Sequence, residues 1–362
     1  MNSLMPSRSR SGQPRARDLG LGFDGEIGPN NAITDVPGVT VGYRTLIEGD
    51  SCRTGLTAIL PRGGEGDLRP TRAAIHNFNG NGEMTGSHWI REAGAFTGPI
   101  AITNTNGVGA AYEGLQRWMT AHVAPGEVRW FLPVVAETLD GYLNDSRSFY
   151  VRTGHVAEAI EHATGGAIEE GNVGGGTGMR CYGFKGGSGT SSRRIADSPW
   201  LVGAFVQANF GRRAELQMRG LPIGQLLGDM LAPESPGSGA GSIIVVLATD
   251  APLSAAQLGG IARRATLGIG RTGTCGHHNS GDIFLAFSTC DPDRSAIVPD
   301  SQLSAFFDGT VAGVEEAILN ALVAARTMIG FEGHEVEAVS HLLITRAVER
   351  WQAAFGPSDI PI

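Results

Sequence analysis

Short apolar or alternating runs bounded by Gly, Pro and Asn recur along this chain, over Gly38–Tyr43, Leu56–Leu60, Pro99–Thr103, Leu201–Ala208, Ser242–Thr249 and Asp282–Ser288. Each predicts a strand. Helical spacing follows in three longer stretches. Thr310–Met328 is the clearest, because Val311, Val314, Ile318, Leu322 and Val323 form one apolar face and Asp308 or Thr310 offers an N-cap. Ser254–Leu267 and His341–Phe355 predict helices on shorter patterns. No fixed-period repeat divides the chain. Pro233–Gly241 resembles a linker in composition, yet the strand after it is too apolar to open a free-standing domain. The pattern therefore predicts an α+β fold, one core of mixed strands covered by helices, in a single domain over residues 21–362.

Composition narrows this without deciding it. The 362 residues are 41% hydrophobic, enough for a large core. The 54 glycines, about twice average usage, fall in clusters between apolar runs and mark tight turns and close backbone approaches. A formal charge of -8 argues against nucleic acid or an anionic membrane as partner. Cys52, Cys181, Cys275 and Cys290 have no paired spacing, which fits a reducing compartment better than a disulfide framework. Arg8, Arg10, Arg15 and Arg17 are followed by no apolar stretch, so neither a secretory signal nor a membrane span is expected, and the location expected is cytoplasmic. Residues 1–20 read as a loose basic tail.

The junction Gly241–Ser242 carries the most specific chemistry. A serine that opens a buried strand, after a residue with no side chain, can turn its hydroxyl on the Gly241 carbonyl. Cleavage there would divide the chain into 1–241 and 242–362, with Ser242 as a new N-terminus. An ordinary loop-to-strand boundary is the alternative. Cleaving amides also needs a proton acceptor, oxyanion donors and a group that positions the substrate. Ser280-Gly281-Asp282 opens an apolar strand much as Ser242 does. If the two strands are neighbours in register, Ser280 and Asp282 share a face beside Ser242 and form a hydroxyl–carboxylate relay. Asn209, at the end of another apolar run, can donate to an oxyanion or merely form a turn before Gly211. Glu137 and Asp140 can offer a carboxylate to a cationic group, or belong to a solvated turn.

Three stretches say less. Gly171–Gly178 looks like a phosphate cradle, but Met179 and Arg180 stand where a P-loop needs Lys and Ser or Thr. Cys275, His277 and His278 crowd together without the usual metal spacing and read as a polar loop, so no metal or cofactor is expected. His76–Glu83 has too many turn formers for a helix, and its side chains either line a pocket or bond their own backbone.

Several long motifs in order identify a resemblance. Ile33–Gly42, Asn77–Gly86, Gly171–Gly178, Gly241–Val245 and Ser280–Phe284 together resemble the DmpA-type aminopeptidases, the L-aminopeptidase/D-esterase and β-aminopeptidase family of self-processing serine peptidases. The resemblance implies a four-layer αββα sandwich, cut into a large and a small chain and assembled as a homo-oligomer, often a tetramer of such pairs. It implies Ser242 as nucleophile, Ser280 and Asp282 as its assistants, Asn209 in the oxyanion hole and Glu137 on the free amine of a peptide, amide or ester. Relatives can carry Glu at the Asp282 position and a tyrosine close to Leu139, where this chain has Tyr142 only later. Two alternatives stay open at this point. One is an ornithine-acetyltransferase-like acyl transferase, whose nucleophile is Thr; the other is a non-enzymatic Gly-rich nucleotide-binding protein.

Overall fold

A computed structural model describes residues 9–63, 66–228, 241–291 and 297–355. Most of the loop Pro233–Gly241 lies outside them; Gly241 lies within. Two sheets stack face to face. One has four strands in the order Thr40–Glu48, Cys52–Leu60, Ile100–Asn104, Val134–Thr138. The other has six, in the order Ala95–Phe96, Thr71–Gly80, Gly281–Ser288, Ser242–Thr249, Leu201–Asn209, Gly187–Arg194. Three apolar cores identify the layers. Ile102, Val134, Ile244 and Ile283 fill the space between the sheets. Val245, Phe284, Ala262 and Ile318 join the outer face of the larger sheet to the helices Ala255–Arg271 and Leu303–Val323. Leu56, Val135, Leu115 and Val156 join the smaller sheet to the helices Val108–Ala121 and Gly154–Glu161. The result is the αββα sandwich.

The expected strands are present, with ends shifted by a few residues; Ser242–Thr249 and Gly281–Ser288 are buried along their whole length. They pair in parallel at the centre of their sheet, which explains why they read as continuous apolar runs rather than alternating ones. Gly187–Arg194 is also a strand, though its sequence is Gly-, Ser- and Arg-rich. Its polar groups are paired inside: Thr190 Oγ1 donates to Ala204 O at 2.7 Å and Ser191 Oγ to Gly313 O at 2.6 Å. Such a segment has no period to read.

Ser254 caps its helix as a capping box, its Oγ accepting from Gln257 N at 3.2 Å while Gln257 Oε1 accepts from Ser254 N at 3.0 Å. The helix expected over Thr310–Met328 runs instead over Leu303–Val323, so Asp308 and Thr310 lie inside it and cap nothing. From Thr310 onward this helix is buried on every side, and its polar residues are matched from outside. Glu316 accepts from Arg193 Nη2 at 2.5 Å and from Arg17 Nε at 2.7 Å. Glu315 accepts from Arg219 Nη1 at 2.9 Å.

That network corrects the expectation of a loose tail for residues 9–20. Arg15 is buried, with Nε 2.8 Å from Glu170 Oε2, and Ala16 N donates to Asn320 Oδ1 at 2.9 Å. The basic residues are held inside because buried carboxylates need them. The Gly171–Gly178 stretch is likewise packing. A Cβ on Gly175 would lie 2.1 Å from Gln207 Oε1, and one on Gly176 2.3 Å from Ser188 N, so strands occupy the space a phosphate would need.

Burial alone would raise the Glu316 carboxyl, but Arg193 and Arg17 outweigh it and hold the group well below the ordinary Glu range. Its folded value lies under its unfolded one, so this stability is present above the ordinary Glu range and fades as pH falls below it. Arg193→Ala should cost about 3 kcal/mol by removing one of the two guanidinium partners of the buried Glu316 carboxylate, which then keeps only Arg17. Equilibrium urea unfolding at neutral pH measures this, and a loss under about 1 kcal/mol would put the pair among exposed bridges in worth.

Candidate active site

The site forms where strand ends from both sheets meet. Register sets its geometry: Ser242 lies opposite Asn209 on one side and opposite Gly281 on the other. The Gly281 N–H is shared between Gly241 O at 3.1 Å and Ser242 Oγ at 3.2 Å, so one backbone donor faces both the hydroxyl and the carbonyl before it. Neither glycine is replaceable without movement. A Cβ on Gly241 would meet Asn209 O at 1.9 Å, and one on Gly281 would meet Asn81 O at 2.4 Å.

Asn209 is oriented by its neighbours. Its Nδ2 donates to Leu139 O at 2.9 Å and its Oδ1 accepts from Arg180 N at 2.9 Å, which fixes the amide and leaves a second N–H to aim elsewhere. Ser280 Oγ donates to Asp282 Oδ1 at 2.5 Å, and Asn79 Nδ2 donates to Asp282 Oδ2 at 3.0 Å. Burial raises the Asp282 carboxyl, partly offset by the Ser280 and Asn79 bonds and by the Ile243 amide.

Ser280 and Asp282 therefore share a face, as their spacing requires. Their relation to Ser242 differs from the simple expectation. Gly281, not Ser280 or Asp282, is the register partner of Ser242, and alternation places the pair on the helix side while Ser242 follows Ile244 toward the other sheet. Among the described residues no direct hydrogen bond joins Ser242 Oγ to either; the connection runs through the Gly281 backbone.

From the smaller sheet comes Glu137, near the end of Val134–Thr138 and only 4% exposed. Its carboxylate accepts from the Thr105 hydroxyl and, at 3.0 Å, from Glu83 N. Burial raises this carboxyl above the ordinary range, with the Thr105 and Glu83 bonds acting against that. A Cβ on Gly82 would lie 3.2 Å from Glu137 Oε1 and 3.3 Å from Gly281 Cα, so a single turn separates the carboxylate from the head of the paired strands. Glu137, Asn209, Gly241 and Ser242 line one cleft of about 800 Å³.

Asp140 is buried too, so neither acid belongs to a solvated turn. Burial pushes its carboxyl up to about 6 against hydrogen bonds from Asn144 and Asn104. Nearby, Lys185 is fully buried and pushed down to about 7, its ammonium donating to Met179 O at 2.7 Å and Gly186 O at 2.9 Å. Leu139 and Tyr142 both border the cleft, Tyr142 lying between His334, stacked at 4.3 Å, and the Arg180 guanidinium, 3.9 Å from its ring centre.

The residues missed from sequence are the Gly281 amide, Thr105, Asn79 and Arg180. Only Asn79 left a signal, inside the polar run His76–Glu83, which here ends the strand Thr71–Gly80 and turns into the cleft.

Comparison with known proteins places the chain in a family. The sequence profile of peptidase family S58 matches residues 31–336. A β-peptidyl aminopeptidase BapA of Sphingosinicella microcystinivorans is 42% identical over 96% of this chain and 95% of its own length. The solved structure of an L-aminopeptidase D-Ala-esterase/amidase from Ochrobactrum anthropi, described as a variant of the Ntn hydrolase fold, superposes with a TM-score of 0.87 at 47% identity, covering 94% of this chain and 99% of that one. A Burkholderia sp. β-aminopeptidase gives 0.86 at 44% identity, over 93% and 99%. On the extent of that match, the chain belongs to peptidase family S58.

Proposed function

We propose that this S58 aminopeptidase matures by severing its own Gly241–Ser242 bond and then uses Ser242 to release N-terminal residues from peptides, amino-acid amides or esters. One observation carries the reading: Ser242 Oγ and the Gly241 carbonyl oxygen share the Gly281 N–H at the mouth of a cleft that also holds Glu137. In the first reaction Ser242 Oγ adds to the Gly241 carbonyl carbon, the C–N bond breaks, and the acyl group passes from nitrogen to oxygen. Water then hydrolyses the ester, leaving a Gly241 carboxylate and a Ser242 with free hydroxyl and α-amine. The Gly281 amide is placed to stabilise the oxyanion formed on Gly241.

In the second reaction the same hydroxyl attacks the substrate carbonyl, the free N–H of Asn209 receives the oxyanion, and ionised Glu137 holds the substrate's ammonium group. The Ser242 α-amine, with an ordinary value near 8, takes the hydroxyl proton, and Ser280 with Asp282 orients it from behind Gly281. A serine at this position sets the chain apart from acyl transferases that use threonine, and the packed Gly171–Gly178 stretch leaves a nucleotide no cradle. Two coarser points belong to the same reading. The four cysteines are free, which fits a reducing, cytoplasmic setting, and no helix among the described residues is long and apolar enough to cross a membrane. The exposed edge-to-face pair Trp89–Trp130, at 5.6 Å, gives another copy an apolar surface to cover in a tetramer of cleaved pairs.

Denaturing electrophoresis with intact-mass analysis should find two fragments, the smaller beginning at Ser242; active protein that is wholly uncut would sink the proposal. Ser242→Ala should abolish both cleavage and turnover, and Gly241→Ala should slow cleavage about 10²-fold by displacing the scissile carbonyl. Asn209→Ala should lower kcat about 10²–10³-fold with KM little changed; steady-state kinetics that show an unaltered kcat would remove it from the oxyanion hole. Because burial raises Glu137, kcat/KM for aminoacyl amides should fall on acidification already above the ordinary Glu range, as protonation removes the charge that holds the amine. Glu137→Gln should lose that limb of the pH profile along with most of kcat/KM, and a retained limb assigns it to another group.

A further inference from the structure

The loop Thr272–Ser280 leads from the helix Ala255–Arg271 into the strand that carries Asp282, and it presents two soft-metal donors to a third from elsewhere. Cys275 Sγ lies 3.7 Å from His277 Nδ1, and His277 Nε2 lies 2.8 Å from Glu215 Oε1. One donor atom from each of the three residues falls within 4.8 Å of the others. Two ligands of one tetrahedral zinc ion, sulfur and nitrogen, stand about 3.5 Å apart given the usual bond lengths, close to the Cys275–His277 separation.

Access and charge both suit a cation. Cys275 is exposed, and the nearest basic side chain in sequence, Arg213, turns away to donate to Gly183 O at 3.0 Å and stack over Phe184 at 4.9 Å. Glu215 is held in place by a bond from Arg212 N to its other oxygen at 3.1 Å.

We propose that Glu215, Cys275 and His277 form a site for a thiophilic divalent cation of the zinc class, with water as fourth ligand. On binding, the Cys275 thiol gives its proton to solvent, His277 binds through a neutral ring nitrogen, and the His277–Glu215 hydrogen bond yields to two metal bonds. The ion would tie the turn after the Asn209 strand to the loop before Ser280. That loop is already coupled to the site, since His277 O accepts from Ser280 N at 2.9 Å and from Asn79 Nδ2 at 3.2 Å. Because the ligands come from both sides of Gly241, the ion also bridges the two segments, whether or not the bond between them is cut.

Cadmium is the spectroscopic probe, through its ultraviolet sulfur-to-metal charge-transfer band, and zinc the probe for calorimetry and thermal unfolding. The wild type and Ser242→Ala should both show the band and a rise in Tm with zinc. Cys275→Ala should lose the band, and His277→Ala and Glu215→Gln should each weaken zinc binding by about 10-fold or more, while His278→Ala leaves it unchanged. No band in the wild type, a band that survives Cys275→Ala, or affinity unaltered in both His277→Ala and Glu215→Gln would overturn the proposal, the last by reducing the site to a single thiol.

Discussion

The architecture of the site depends on one close approach of backbones. Ser242–Thr249 and Gly281–Ser288 run parallel at the centre of a sheet, and at their heads the Gly281 N–H reaches Gly241 O and Ser242 Oγ together. That sharing requires the Asn209 carbonyl to pass within what would be bonding distance of a Gly241 side chain, and the Asn81 carbonyl to press on Gly281. Any other residue at either position would push the strand heads apart. The burial of both strands supplies the rigidity, because each is clamped by apolar cores on its two faces.

Around this point the protein keeps ionisable groups in unlike states by controlling their surroundings. Glu316 is as deeply buried as any carboxylate here, yet it is held low by two guanidinium groups. Glu137, Asp140 and Asp282 receive hydrogen bonds from neutral donors instead, which only partly offset desolvation, and all three are raised. Glu316 is a structural charge with full partners, whereas Glu137 and Asp140 line the cleft, and Asp282 lies behind the paired strands, each held by neutral donors alone. Arg17 serves Glu316 and Arg15 pairs with Glu170, whose carboxyl burial still raises; both pairs draw the N-terminal segment from residue 9 across the outer helices rather than leaving it in solvent.

Much of the fold was legible because the relevant forces are local. Parallel strands buried on both faces need unbroken apolar runs, so Ser242–Thr249 was readable to the residue, and the spacing over Ser254–Leu267 showed a helix that in the structure runs on to Arg271. The strand Gly187–Arg194 and the true start of the central helix at Leu303 were not readable. A polar strand satisfied by distant partners has no periodicity, and Asp308 and Thr310 offered cap-like residues inside a helix whose first turns, Leu303–Gly309, are only partly buried.

The candidate site divides in the same way. Sequence determined that a serine follows glycine at the head of a buried strand, that Ser280 and Asp282 stand two apart on another, and that Asn209 and Glu137 close two further runs. Only the tertiary structure decided that these four chain segments end in one cleft, that Gly281 rather than Ser280 or Asp282 faces Ser242, and that Glu215 meets Cys275 and His277. The physical reason is that residue identity along one strand reports its own burial and pleat, whereas register between strands and contacts across sixty residues are set by how the two sheets and their helices pack together.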